Sequence, residues 1–256
     1  MSPAPRIIAL EGPSGAGKST VARALGRAFG WEVLPEAFER LVPAPSLDFA
    51  GPADLLALER RLLFEERRRY RDARRAVGRG RTVLADTGFF GPITYTAGLV
   101  ALGRAPGRVL DRLLASGRRI EGAGPLGTPD VLVVLEVPAP DLRRRLARDP
   151  VGHPAHLVPR HRAVERFERS LYRDRFRSLL SGRIAIVSGA GPPSTVARRV
   201  GAAVRRLAPE GPPRNAPRSR LFDAVRAAVE ERARGRARAS AATVKKPARS
   251  ARAPPR

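Results

Sequence analysis

Gly12-Pro13-Ser14-Gly15-Ala16-Gly17-Lys18-Ser19 is a complete G-x-x-x-x-G-K-[ST] run, and its flanks leave few folds open. Ahead of it, Arg6–Glu11 is short, apolar and carries the β-branched pair Ile7-Ile8, as a strand buried on both faces of a parallel sheet does. Behind it, Val21, Ala22, Leu25, Ala28 and Phe29 recur at helical spacing within Ser19–Phe29. Strand, loop and helix in that order turn backbone N–H groups and a helix N-terminus toward a phosphate. Gly12, Pro13, Ser14, Gly15, Ala16, Gly17, Lys18, Ser19 and Thr20 are therefore the expected triphosphate-binding residues, with Lys18 reaching the β- and γ-phosphates and Ser19 ligating Mg²⁺. ATP and Mg²⁺ are the expected ligands.

The apolar runs that follow alternate between strand and helix length. Trp31–Leu34, Thr82–Ala85, Val131–Val137 and Ile184–Val187 read as further strands. Between and after them, Ala53–Val77 reads as a long helix with Leu55, Leu58, Leu62, Leu63, Tyr70 and Val77 on its apolar stripe, and Ser194–Leu207 as another. Strands separated by helices predict an α/β fold: a doubly wound parallel sheet of about five strands with helices on both faces. Ligands in such sheets bind beyond the carboxyl ends of the strands, so the residues that end each strand become the candidates for chemistry.

Composition bounds the rest. The chain has 256 residues and no cysteine, which excludes disulfides, thiolate catalysis and cysteine metal sites. No run approaches the ~18 apolar residues of a membrane span, and Met1 is too close to the phosphate loop for a signal peptide, so a cytoplasmic location without membrane contact is expected. The net charge of +25 comes almost wholly from arginine, lysine occurring only at positions 18, 245 and 246. From Arg232 to Arg256 there is no acidic residue and no apolar periodicity, which predicts a disordered basic tail. Pro209–Pro217 reads as a linker and Leu221–Val229 as a short amphipathic helix, which divides the chain into a catalytic domain over 1–208 and an extension over 209–256. The tail either contacts nucleic acid weakly and without sequence preference or is only a solvated extension.

Three strand ends carry carboxylates. Asp86 closes the third strand and either reaches Mg²⁺ at the phosphate loop or caps a turn. Glu36 follows the second strand and is either a base for an attacking hydroxyl or an exposed residue entering the next segment. Glu136 lies inside the fourth strand run, facing the phosphate site or near the strand's wet end. Beyond it, Arg143, Arg144, Arg145, Arg148, Arg160 and Arg162 flank a Pro-rich loop; one or two are expected to offset charge on a transferred phosphoryl group and the others to form a solvated face. His153, His156 and His161 read as loop residues rather than a zinc site.

Taken together, these residues resemble the P-loop nucleoside and nucleotide kinases, the group that includes thymidylate and deoxynucleoside kinases. Leu62-Leu63-Phe64-Glu65-Glu66-Arg67-Arg68 is similar to the thymidylate kinase helix whose arginine contacts substrate, which implies that role for Arg68. Asp86 followed by Tyr95 at the family's spacing implies a substrate contact for Tyr95, and Pro35-Glu36 resembles the pair whose glutamate is the deoxynucleoside kinase base. Pro129–Pro138 with Arg145 beyond it resembles the family's fourth strand and the entry to its arginine-bearing lid. Asp86-Thr87-Gly88 departs from the Asp-Arg of thymidylate kinases, and Thr96 stands where they carry glutamine; the Asp-Thr pair is similar instead to the nicotinamide riboside kinase branch. The resemblance implies a Mg²⁺-ATP-dependent kinase acting on a small nucleoside- or nucleotide-like acceptor, with a homodimer as the association to test for.

Other P-loop classes fit less well. A guanine-reading Asn-Lys-x-Asp segment is absent, the only asparagine being Asn215. There is no Leu-Ser-Gly-Gly signature of a transport ATPase. A P-loop ATPase working with nucleic acid through its basic tail is the alternative that stays open.

Overall fold

The computed structural model describes residues 6–43, 45, 49–122, 128–148, 158–180, 183–207 and 218–244. Five strands, β1 (Ile7–Glu11), β2 (Glu32–Leu34), β3 (Val83–Ala85), β4 (Val131–Glu136) and β5 (Ile184–Ser188), form one parallel sheet in the order β2-β3-β1-β4-β5. Each falls within a residue of the expected run. β1 lies at the centre, between β3 and β4, so the phosphate loop that leaves it opens at the middle of the sheet's carboxyl edge.

Strand periodicity divides the core in two. Ile7 and Ala9 of β1, Val83 and Ala85 of β3, and Leu132 and Val134 of β4 face one layer. That layer is built from α2 (Pro52–Gly78), α3 (Gly91–Ala101), α4 (Gly107–Gly122) and α6 (Val158–Ser170). Ile8, Leu10, Leu84, Val131, Val133 and Leu135 face the other, where α1 (Lys18–Phe29), α5 (Ala139–Ala147) and α8 (Pro193–Arg206) pack. Every side chain of β1 is buried, which explains why parallel strands of this kind read as unbroken apolar runs. Asp130, just ahead of β4, accepts a 2.7 Å bond from the Ile7 N–H and sets the entry of β1 beside it.

α6 does not stop at Ser170. It passes into a π-helical turn, Leu171–Phe176, and then the short α7 (Arg177–Leu179). Single π turns recur at functional sites because they shift the phase of the side chains that follow, and here Leu171, Tyr172 and Phe176 are all buried.

The last helix, α9 (Arg218–Val244), differs from expectation in length and attachment. The short amphipathic helix is there, but its Leu221, Phe222, Val225 and Val229 sit in the same core as α3 and α4. The helix continues through Arg232–Val244, where the composition had predicted no structure. Alanine and arginine are both strong helix formers, and a helix already anchored by a packed turn extends without a new nucleus. Residues 245–256, the segment 208–217 with the proposed linker and boundary, and the loop holding His153 and His156 lie outside the described residues, as does the side chain of His161.

Candidate active site

The phosphate loop is wrapped by backbone geometry that its glycines permit. Gly12, Gly15 and Gly17 take φ values of 139°, 78° and 87°. A Cβ on Gly12 would stand 2.6 Å from the Leu135 carbonyl oxygen, so the loop can pass β4 only without a side chain there. Ala16 N–H closes the turn onto Pro13 O at 3.0 Å, and Lys18 Nζ donates to Gly12 O and Pro13 O at 3.0 and 3.2 Å. Lys18 is thus curled over its own loop.

Asp86 lies at the end of β3 with its side chain buried and its backbone N–H bonded to Leu34 O at 2.9 Å. Burial raises its pKa, and the neighbouring Ser19 hydroxyl and Lys18 charge oppose that rise. Its Oδ1 has no hydrogen-bond partner among the described residues. A capping aspartate would spend that oxygen on a backbone N–H. The next residue, Thr87, has φ 71° and donates from Oγ1 to Glu36 Oε1 at 3.1 Å, so the carboxylates after β2 and β3 lie side by side.

Two residues that the sequence reading passed over complete this wall. Glu11, the last residue of β1, is buried; its Oε1 accepts the Gly88 N–H at 3.0 Å. Burial pushes its pKa up to about 7 against the pull of Lys18. The Tyr172 hydroxyl, delivered by the π turn, faces Glu11 and Thr94 without closing a well-formed hydrogen bond to either. Glu11 was legible as a strand-end carboxylate one residue before the loop. Tyr172 had no local signal.

The arginine expected at position 68 points the wrong way. Its side chain is 69% exposed, 3.5 Å from Glu65, on the outward face that also carries the exposed Phe64 one helical turn earlier. Arg69 faces inward instead: fully buried, it bonds Glu66 at 2.5 Å, Asp86 O at 2.8 Å and Thr87 O at 3.3 Å, and lies over the Phe89 ring. The Leu-Leu-Phe alignment placed the arginine one residue, about 100° of helix, off the inward face.

Arg145 on α5 reaches the phosphate loop, but as a clamp. Its guanidinium donates to Ala16 O and Gly189 O, both at 2.8 Å, and to Gly191 O at 3.4 Å, tying the loop to the turn after β5. Glu136 is held by Arg173 of the π turn through two bonds of 2.8 and 2.6 Å and borders the cleft that Gly12 and Pro13 also line. Tyr95 on α3 has a buried hydroxyl near Arg160, Glu59 and Glu168, and burial pushes its pKa up to about 12.

The arrangement of sheet, loop and helices matches two solved structures of deoxyadenosine kinase from M. mycoides, one with bound dATP and one with products dCMP and a flexible dCDP. The TM-score is 0.59 for each, at 12% and 14% sequence identity, over 77% and 78% of this chain and 98% of those chains. The chain has the fold of those two structures. Residues 7–118, which include the loop, Glu36, Arg69, Asp86 and Tyr95, also match the family model of an AAA domain. No curated protein matches the chain in sequence. Among the described residues no helix is long and apolar enough to cross a membrane, and no group of three or more His, Cys, Asp or Glu is arranged to hold a metal by itself.

Proposed function

We propose that the protein is a Mg²⁺-ATP-dependent phosphotransferase that moves the γ-phosphoryl group to a hydroxyl of a small nucleoside- or nucleotide-like acceptor. The observation that carries this reading is the wall of Glu11, Glu36 and Asp86 beside Lys18, at the carboxyl ends of three adjacent strands. The loop fits a triphosphate, since its three glycines hold the positive φ values of a tight wrap at a helix N-terminus and the backbone at Gly12 passes β4 where no side chain would fit. The unpartnered Asp86 Oδ1 next to Ser19 fits Mg²⁺, whose ligands would be Ser19 and, directly or through water, Asp86. Bound Mg²⁺ supplies charge neutralisation at the phosphate oxygens.

In this reading Lys18 leaves Gly12 O and Pro13 O for the β- and γ-phosphates. Glu36, oriented by Thr87, takes the proton of the attacking hydroxyl as that oxygen bonds phosphorus and ADP departs. Arg69 holds the backbone of Asp86 and Thr87 in place for both. Tyr95 lines the acceptor side, and Arg145 keeps the loop in register with the β5–α8 turn. ADP release against a panel of nucleosides, nucleoside monophosphates and nicotinamide riboside tests the reading; no acceptor-dependent release from a protein that binds ATP would overturn it.

A second reading draws on the arginine-lined groove of about 950 Å³ between α9 and the α6 region, bordered by Arg166, Arg175, Arg232, Arg234, Arg236 and Arg238. It makes the protein an ATPase acting with nucleic acid. ATP turnover stimulated by nucleic acid and indifferent to small acceptors would favour it.

A further inference from the structure

α6 separates two cavities. Its Glu165, Glu168 and Arg169 turn to the narrow cleft beside Gly12, whereas Ala163, Arg166 and Phe167 turn to the groove of about 950 Å³ beside α9. The two share no lining residue, so the groove stands apart from the transfer site. Part of its lining is apolar: Leu102 at the end of α3, Phe167 on α6, Leu171 on the π turn and Ala228 on α9.

Six arginines line the groove against two acids, Asp174 and Glu231. Glu231 is committed to Arg175 at 2.5 Å, and Arg234 pairs at 4.0 Å with Glu230. Arg232, Arg236 and Arg238 enter no ion pair among the described residues. Along α9, Ala228, Glu231, Arg232 and Gly235 recur at i, i+3, i+4 and i+7, so one helical face borders the groove with two small residues and Arg236 and Arg238 stand to either side of it. A Cβ on Gly103, just past α3, would lie 2.8 Å from Arg236 Nη1, which puts that arginine at the α3 end of the groove.

Gathered cations repel one another until an anion joins them. Residues 245–256 cannot supply it, since they hold Lys245, Lys246, Arg249, Arg252 and Arg256 and no acid, and a second copy of the chain would bring a further net charge of +25. We infer that the groove is a second nucleotide site, which takes a nucleoside polyphosphate with its phosphates on the arginines and its nucleoside against the apolar lining. Guanidinium groups bind phosphate bidentately and stack on planar rings. From Arg232 to Arg238 α9 rises only about 9 Å, a length that matches the phosphates of one nucleotide rather than a strand. The volume lies within the range of small-ligand sites. The site goes beyond the transfer reaction and does not depend on it.

The test titrates the β,γ-imido analogue of ATP with Mg²⁺ into the full chain by calorimetry. It compares wild type, Lys18→Ala, Arg166→Gln and a groove variant carrying Arg232→Gln, Arg236→Gln and Arg238→Gln. Wild type should take up one equivalent more than the groove variant, whose melting temperature is retained because the three side chains are exposed. Lys18→Ala should keep that equivalent, and Arg166→Gln, across the groove on α6, should weaken it about tenfold. Equal uptake and affinity in wild type and both arginine variants would overturn the groove site and leave the transfer reading standing. One and the same equivalent lost in Lys18→Ala and in the groove variant would place it at the loop and overturn the groove site equally. Tripolyphosphate bound there as tightly as the analogue would overturn the nucleoside's part in it. Displacement of the analogue by a short oligothymidylate at lower phosphate concentration would give the groove to nucleic acid and overturn the nucleotide assignment. A groove equivalent in a protein with no acceptor-dependent ADP release would overturn the kinase reading and leave the groove. If the groove variant does not fold, Arg166→Gln carries the comparison.

Discussion

Adjacent arginines on α2 show how one side chain's position is decided by what surrounds it. Arg68 is exposed beside Glu65, whereas Arg69 is fully buried on Glu66 and the Asp86 and Thr87 carbonyls. Arg69→Ala leaves a buried acid without its cation and should cost about 3–5 kcal/mol in chemical denaturation, whereas Arg68→Ala should stay within about 0.5 kcal/mol. The Arg69→Ala loss should be larger at pH 8 than at pH 6, because Glu66, held at about 7 with Arg69 present, takes a proton at the lower pH. At the loop, Lys18→Ala should abolish acceptor phosphorylation with the melting temperature retained, since Lys18 Nζ bonds two carbonyls of its own loop and the side chain belongs to neither apolar cluster. Glu36→Gln should lower kcat steeply with ATP binding little changed, measured at saturating acceptor; an unchanged kcat would reduce Glu36 to a partner of Thr87.

Among the elements, α9 has two halves that differ in kind. Leu221, Phe222, Val225 and Val229 are buried, Phe222 against Gly117 of α4, while Arg232–Ala239 are exposed. Surface ion pairs Arg118–Asp223 and Arg226–Asp111 tie the first half to α4. Such exposed pairs contribute little, and burial of Phe222 contributes most. Phe222→Ala should therefore cost about 3–5 kcal/mol, and truncation after Glu231 should stay within about 0.5 kcal/mol, both read by denaturant titration. A large loss on truncation would show that the arginine-rich half packs on the body of the protein in solution.

For the molecule as a whole, the buried acids around the loop make a pH signature. Burial is the leading cause that raises Glu11 and Glu66 to about 7 and Glu168 to about 8, from an ordinary value of 4.5. The groups facing Glu168 are Thr94, Glu11, Lys18 and Glu165. A folded pKa above the unfolded one means that the native state binds more protons in the interval between them. The stability these acids confer is complete below about 4.5 and is lost as pH rises through 7 and 8. Denaturation midpoints should thus fall from pH 6 to pH 9, and Glu168→Gln should flatten the upper part of that fall. Midpoints that rise over this range would mean that these carboxyls are ionised in the native state well below neutrality.

The phosphate loop, the five strands and the strand-end positions of Glu36 and Asp86 were legible in the chain itself, because each depends on a contiguous stretch. A glycine pattern dictates a wrap, an apolar run dictates a buried parallel strand, and the next residue must leave at the sheet's edge. Tertiary structure alone decided which arginine of α2 turns inward, that α9 belongs to the core, and that Arg145 clamps the loop to the turn after β5. It alone brought Gly88 to Glu11 across 77 residues and Thr94 to Glu168 across 74. Those pairings are set by how strands and helix layers pack rather than by any local spacing. A motif of eight residues carries its own geometry, whereas a carboxyl's partner and protonation depend on groups that meet only after the chain has folded.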